Sequence, residues 1–127
     1  MEYTEKTKKA MRLCLKAHEG QVDKGGFPYV FHPIHVAESV TGESCCVVGL
    51  LHDVVEDCPD YPLDKVVEIV GLNEEEKVAL NLLTHKEGVP YEEYCKALSG
   101  NRIARKVKIA DLRHNLDLRR MMGQGLP

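Results

Sequence analysis

The stretch that decides the fold runs from Cys45 to Val55 and has the sequence Cys-Cys-Val-Val-Gly-Leu-Leu-His-Asp-Val-Val. It is apolar almost all the way round, which is typical of a helix at the centre of a core. Its β-branched valines are also compatible with a buried strand, and hydrophobic periodicity alone does not separate the two. We favour a helix because of the polar residues with which the stretch ends.

Four ionisable side chains lie at that end, namely His52, Asp53, Glu56 and Asp57. On an α-helix they would lie at about 0°, 100°, 40° and 140° and share one arc, whereas a strand would divide them between two faces. Carboxylates and an imidazole beside a core are costly unless a charge compensates them, and a divalent metal does so. The alternative is a helix that only becomes polar as it leaves the core, but acidic groups at a helix C-terminus oppose the macrodipole.

The rest of the chain predicts helices and turns, with no stretch that alternates cleanly enough to require a sheet. Apolar spacing and capping residues predict further helices at about Thr4–His18, Pro33–Val40, Leu63–Val70, Asn73–Leu83, Tyr91–Leu98 and Arg102–Arg119. Ser44 is the expected N-cap of the central helix. The prediction is therefore an all-α fold, a single compact bundle over residues 1–127 whose last residues, Gly123 to Pro127, are frayed.

Composition narrows the class of protein. The net charge of -3 gives no electrostatic case for a nucleic-acid polymer as partner, and no apolar run is long enough for a membrane span. The N-terminus lacks the apolar segment of a signal peptide. The five cysteines are odd in number and form no Cys-x-x-Cys pair, so reduced thiols and a cytoplasmic location are expected, while the oligomeric state stays open.

Two distant residues add to the ionisable cluster. Asp111 lies on the apolar stripe of the last helix, four residues after Val107, and a carboxylate on a core-facing stripe needs a partner. That partner is either a metal or a lysine or arginine elsewhere in the fold. His32 lies between an irregular loop and a helix start, where a side chain can point inward. The remaining histidines are expected to be structural: His18, His35, His85 and His114.

The order His32, His52-Asp53, Asp111 resembles the H…HD…D signature of the HD-domain phosphohydrolases. Longer segments are similar to the hydrolase domain of the RelA/SpoT family, and the resemblance covers about residues 15 to 120. These segments are Pro28–Pro33, Leu50–Asp57, Leu83–His85 and Lys108–Asn115. That family removes the 3′-pyrophosphate from the alarmone (p)ppGpp, with Mn²⁺ as cofactor.

The resemblance implies a role for each matching residue. It makes Glu56 and Asp57 the pair that positions or activates the attacking water, places Asn115 against the nucleotide sugar and makes Lys24 a basic residue of the substrate loop. Arg102 or Lys106 are further candidates for contact with the phosphates. The implied metal ligands are His32, His52, Asp53 and Asp111.

The chain departs from the family pattern at three places outside the metal set. Asp23 stands where the family has a basic residue before its loop lysine, and Gly25 replaces a small hydroxyl residue. Leu112 stands where an arginine follows the last metal aspartate, with Arg113 displaced by one position. These departures concern nucleotide recognition rather than the metal.

Two functional hypotheses follow. The first is a metal-dependent phosphohydrolase acting on a small phosphorylated nucleotide, (p)ppGpp first and another nucleotide second. The second is a binding module that keeps the HD scaffold, senses a nucleotide or metal, and performs no turnover. Glu56 and Asp57 favour the enzyme, because a pure binder has no need of a water-activating pair beside a metal.

Overall fold

The computed structural model describes residues 1–117 and 119–120, and over these residues the chain forms seven α-helices and no strand. The predicted all-α fold is therefore confirmed. None of the described helices combines the length and the apolar character needed to cross a bilayer. The helices are α1 (Glu5–Ala17), α2 (Phe31–Glu38), α3 (Glu43–Asp57), α4 (Leu63–Val70), α5 (Glu74–Leu83), α6 (Tyr91–Ser99) and α7 (Arg102–Asn115).

Helix α3 lies at the centre of the core, as its apolar sequence predicts. Every residue from Cys45 to Val54 is buried, and α3 packs against α1, α2, α5 and α7. Gly49 allows α2 to pass close by, since a Cβ there would lie 3.3 Å from Cγ1 of Val36 and 3.4 Å from Cα of Ala37. The polar end of α3 is thereby held against α2 and α7.

The predicted start of α3 was wrong. The helix begins at Glu43 with Gly42 as its N-cap, and Ser44 makes no cap. Gly42 has φ of 93°, a conformation that glycine adopts without the steric cost of a side chain. The Ser44 hydroxyl instead donates to Oε2 of Glu76 at 2.8 Å.

Two other boundaries differ from the prediction. Helix α2 begins at Phe31, two residues before Pro33, so His32 lies in its first turn. Helix α7 ends at Asn115 rather than near Arg119, because Asp117 accepts hydrogen bonds from the backbone and side chain of Arg119 and so favours a turn over a helix. The residues predicted to be frayed, 123–127, lie outside the described part of the chain.

A buried carboxylate ties three helices together. Glu76 of α5 has no solvent exposure. Its Oε1 accepts from Lys6 Nζ of α1 and from the backbone N–H of Asn73, each at 2.9 Å, while Oε2 accepts from Ser44 of α3. A buried charge of this kind is tolerated because every oxygen has a partner.

Replacing Glu76 with Ala should therefore lower the free energy of unfolding by roughly 2–4 kcal/mol, since it removes a helix cap and charged hydrogen bonds at once. Glu75→Ala, at an exposed position on the same helix, is the matched control and should change it by less than about 0.5 kcal/mol. Urea denaturation followed by circular dichroism measures both. Equal changes in the free energy of unfolding for the two substitutions would show that the hydrogen bonds of Glu76 do not stabilise the fold.

Candidate metal centre

His52 is held by its own helix in an orientation that frees one ring nitrogen. Its Nδ1 lies 2.7 Å from the carbonyl oxygen of Gly49, so Nδ1 carries the proton and donates it. In the neutral ring, the form that can bind a metal, Nε2 then carries the lone pair, and it is fully buried without a hydrogen-bond partner among the described residues. A buried nitrogen of this kind needs a partner, and a metal ion is one that suits it.

The structure brings the four side chains predicted as metal ligands into one buried cluster, whose donor atoms all lie within 4.8 Å of one another. His52 Nε2 lies 3.3 Å from Asp53 Oδ2 and 3.5 Å from Asp111 Oδ1. His32 Nε2 lies 2.7 Å from Asp111 Oδ1 and 3.7 Å from Asp53 Oδ2. Ligand atoms about 2.1 Å from a common ion are separated by roughly 3–3.5 Å, so the cluster needs little rearrangement to hold one.

Hydrogen bonds from neighbouring residues orient both carboxylates. The phenol of Tyr29, from the loop before α2, donates to Oδ2 of Asp53 at 2.7 Å. Asp111 accepts from Asn115 Nδ2 at 3.2 Å and from Lys108 Nζ at 3.3 Å. The sequence left open whether Asp111 pairs with a metal or with a cation, and the structure places both a candidate metal site and Lys108 beside it. Partners of this type fix ligand orientation in metal sites.

His114 supports the metal cluster although the sequence analysis treated it as only structural. Its Nδ1 lies 2.7 Å from Nδ1 of His32, and its ring stacks on that of His35 at 3.8 Å. Burial, with the nearby charge of Arg120, lowers the pKa of His114 to about 4, so the ring is neutral near pH 7. His114 lies three residues after Asp111 on the same helical face, and this spacing is the signal that could have identified it from the sequence.

The cluster binds protons strongly in the absence of metal. Burial opposes the charge on His52, but the carboxylates of Asp53 and Asp111 outweigh it and raise the pKa of His52 to about 9. Burial likewise opposes the charge on Asp111, yet the hydrogen bond from His32 and the nearby imidazole of His52 hold its pKa well below the usual range. At neutral pH the cluster therefore carries ionised Asp111 and a proton on His52 that a metal has to displace.

The predicted water-activating pair lies in the last turn of α3, directly after the metal cluster. Glu56 and Asp57 form no hydrogen bond to a described residue, so both carboxylates are free to accept one from a ligand. Partial burial and the charges of Asp57 and Asp53 raise the pKa of Glu56. Partial burial and Asp53 also raise the pKa of Asp57.

Of the residues predicted to contact the substrate, one bonds directly to the metal cluster and the others lie further from it. Lys24 is exposed in the loop before α2, and Asn115 contacts Asp111 directly. Lys106 lines a cavity between α2 and α7, and Arg102 is exposed at the start of α7. Neither of these two cations contacts a residue of the metal cluster, so Lys108 is the basic side chain that does.

The two departures in the loop, at Asp23 and Gly25, both lie against Arg120, which follows α7. Asp23 Oδ1 accepts from the backbone N–H groups of Gly25 and Phe27, and its Oδ2 lies 3.5 Å from a guanidinium nitrogen of Arg120. A Cβ at Gly25 would lie only 2.7 Å from the carbonyl oxygen of Arg120. Asp23 is thus engaged within the protein, and Gly25 is needed for the close approach.

The all-α bundle buries two histidines and two aspartates in the order H…HD…D that resembles the signature of the HD-domain phosphohydrolases. No family model matches the chain. The solved structure of a metazoan SpoT orthologue that hydrolyses ppGpp aligns with a TM-score of 0.74 and 24% identity, over 93% of this chain and 72% of that one. This likeness supports the fold.

Curated relatives extend the similarity to sequence. The chain is 29% identical over 117 residues to guanosine-3′,5′-bis(diphosphate) 3′-pyrophosphohydrolase of Haemophilus influenzae, and 28% identical over 121 residues to bifunctional (p)ppGpp synthase/hydrolase SpoT of Escherichia coli. It is 46% identical over 54 residues to GTP pyrophosphokinase of Myxococcus xanthus. These matches cover 82%, 86% and 39% of this chain but only 17%, 17% and 7% of the relatives. The predicted resemblance to the RelA/SpoT family is confirmed.

Removal of one proposed ligand should strongly weaken metal binding without unfolding the chain. Asp53→Ala is expected to weaken binding of Mn²⁺ by roughly 100-fold or more, because it removes one of four donors. Glu56→Ala, one turn further along α3, should leave the affinity within about threefold. Metal titration by isothermal calorimetry, with circular dichroism as a check of the fold, gives the comparison. Unchanged metal content in Asp53→Ala would show that the ligand assignment is wrong.

Metal affinity should also rise with pH. Because the pKa of His52 is raised to about 9, this group is protonated below that pH and must lose its proton when the metal binds. The affinity should then increase about tenfold per pH unit between pH 6 and 8 and level off above pH 9. Calorimetry in buffers of different ionisation enthalpy would detect the release of about one proton at pH 7. An affinity independent of pH would contradict a protonated His52.

Proposed function

We propose that this protein is a metal-dependent phosphohydrolase that removes the 3′-pyrophosphate from (p)ppGpp. The observation that carries the proposal is the buried His/Asp cluster with two unengaged carboxylates, Glu56 and Asp57, in the next helical turn. A binding module has no need of this pair. The presence of Glu56 and Asp57 therefore favours an enzyme over a module that binds without turnover.

Mn²⁺ is the proposed metal, held by His32, His52, Asp53 and Asp111. Two imidazole nitrogens and two carboxylate oxygens suit a divalent transition metal, and Mn²⁺ is the cofactor that the RelA/SpoT resemblance implies. When bound, such an ion lowers the pKa of a water molecule and shields phosphate oxygens.

The proton chemistry is assigned to the two carboxylates at the end of α3. Glu56 accepts the proton of the attacking water, and its raised pKa brings it closer to the neutral range in which a general base works best. Asp57 orients the same water through a hydrogen bond. Tyr29 and Lys108 do not react, but they hold the ligand carboxylates in place. Asn115, which donates to Asp111, is also proposed to lie against the nucleotide sugar.

The proposed hydrolysis is a single displacement at phosphorus. The water oxygen forms a bond to the 3′-linked phosphorus, the bond from that phosphorus to the 3′-oxygen breaks, and the proton taken from water is available to the departing oxygen. GDP or GTP and pyrophosphate are the products. Lys24, exposed in the loop before α2, is proposed to neutralise phosphate charge during this displacement.

The relatives support this choice of substrate by their names, which refer to (p)ppGpp hydrolysis and synthesis. The chain spans less than a fifth of their length, so their substrate is a proposal for this chain. A cytoplasmic location is proposed as well, because all five cysteines are free thiols.

The experiment is an assay of pyrophosphate release by the Mn²⁺-loaded protein from ppGpp, with GTP, GDP and a generic phosphodiester as comparison substrates. We expect release from ppGpp and little from the others. Glu56→Ala should retain metal and lose activity by about 10²–10⁴-fold, because it removes the general base. Glu68→Ala, at an exposed position on α4, is the control and should be fully active. Absence of turnover with every substrate, with metal demonstrably bound, would refute the proposal.

A further inference from the structure

We propose that a second cavity, between α2 and α7, binds a small di- or oligophosphate anion. The cavity has a volume of about 540 Å³, large enough for more than a single inorganic ion. Its polar lining includes His35, Ser39, Thr41, Lys106, Arg113 and His114. No metal ligand, and neither Glu56 nor Lys24, lines it. It is therefore distinct from the site of the proposed hydrolysis.

The charge of this cavity is positive although the chain carries a net charge of -3. Lys106 and Arg113 form no ion pair with any residue that the structure describes, and both line the cavity. The carboxylate of Asp117 also lines it but is engaged by Arg119 at 2.7 Å. Two uncompensated cations thus face one concave surface, which favours an anionic ligand.

The spacing of the two cations indicates the kind of anion. Lys106 and Arg113 are seven residues apart on α7 and so lie on one face, about 10.5 Å apart along the helix axis. A ligand that contacts both has to be extended and carry more than one anionic group. Arg113 supplies a planar guanidinium that matches two phosphate oxygens, and Lys106 supplies a point charge, so a di- or oligophosphate fits this pair.

Uncharged side chains adjoin the two cations in the lining. The Thr41 hydroxyl is exposed and donates to no described residue. His114, which is 3% exposed, uses Nδ1 for its bond to His32 and keeps only Nε2 for a further bond. The His35 ring stacks on it at 3.8 Å and stabilises the wall. This side of the cavity therefore combines the buried ring of His114 with the half-buried ring of His35 and the exposed Thr41 hydroxyl.

The position of Arg113, one residue later than the arginine of the family pattern, places its side chain at this cavity. Arg113 follows Asp111 by two residues and so points about 200° away from it around α7. A basic residue directly after Asp111 would instead lie about 100° from it. Its displacement by one position thus removes positive charge from the metal side and adds it to the cavity.

The test is isothermal calorimetry of the chelator-treated, metal-free full chain with inorganic pyrophosphate, and with orthophosphate as the smaller probe. We expect pyrophosphate to bind at one site and more tightly than orthophosphate. The double variant Lys106→Gln/Arg113→Gln should weaken pyrophosphate binding at least tenfold. Lys96→Gln/Arg105→Gln removes the same charge at exposed positions outside the cavity and should change it less than twofold.

Amide NMR shifts on adding pyrophosphate locate the site independently. Shifts concentrated at Ser39, Thr41 and Arg113 support the proposal. Shifts concentrated at Lys24 and His52 would place the anion at the metal centre and overturn it. The proposal is also overturned if metal-free protein binds no pyrophosphate, or if both double variants lose affinity equally. Because no metal or turnover is involved, the outcome is independent of whether the hydrolase proposal holds.

Discussion

The structure depends on the burial of four ionisable side chains where α2, α3 and α7 meet. Carboxylates in a core are costly unless opposite charge and hydrogen bonds compensate them. Here the compensation comes from the imidazoles, from Lys108 on Asp111 and from the Tyr29 phenol on Asp53. The same contacts orient the donor atoms towards one point, so the interactions that make the burial tolerable also prepare the site for a cation.

Much of this arrangement was predictable from sequence because it follows from helical periodicity and the cost of buried charge. The apolar run before His52 predicts a central helix, and only a helix keeps Glu56 and Asp57 on the arc of the metal residues. Asp111 was identifiable because it interrupts an apolar stripe. No local pattern specifies the path of α2, which brings His32 beside the other three residues of the cluster. Their proximity could be inferred only from the HD-domain resemblance.

The remaining features depend on contacts between distant segments and left no pattern in the sequence. The start of α3 at Glu43 follows from the positive φ of its N-cap Gly42, which no spacing rule specifies. Ser44 was expected to cap that helix because its type suits a cap, but its hydroxyl is used by Glu76 instead. The pairing of Asp23 with Arg120 joins residues almost a hundred positions apart. Such contacts become visible only when the packing is known.

X-ray absorption spectroscopy of the Mn²⁺-loaded protein would show whether two imidazoles and two carboxylates bind one ion, as proposed. We expect nitrogen and oxygen as the only ligand atoms, at about 2.0–2.2 Å from the ion, with the multiple scattering of two histidines. His52→Ala should reduce that scattering to one imidazole. A sulfur ligand, or a spectrum without any imidazole scattering, would contradict the proposed centre.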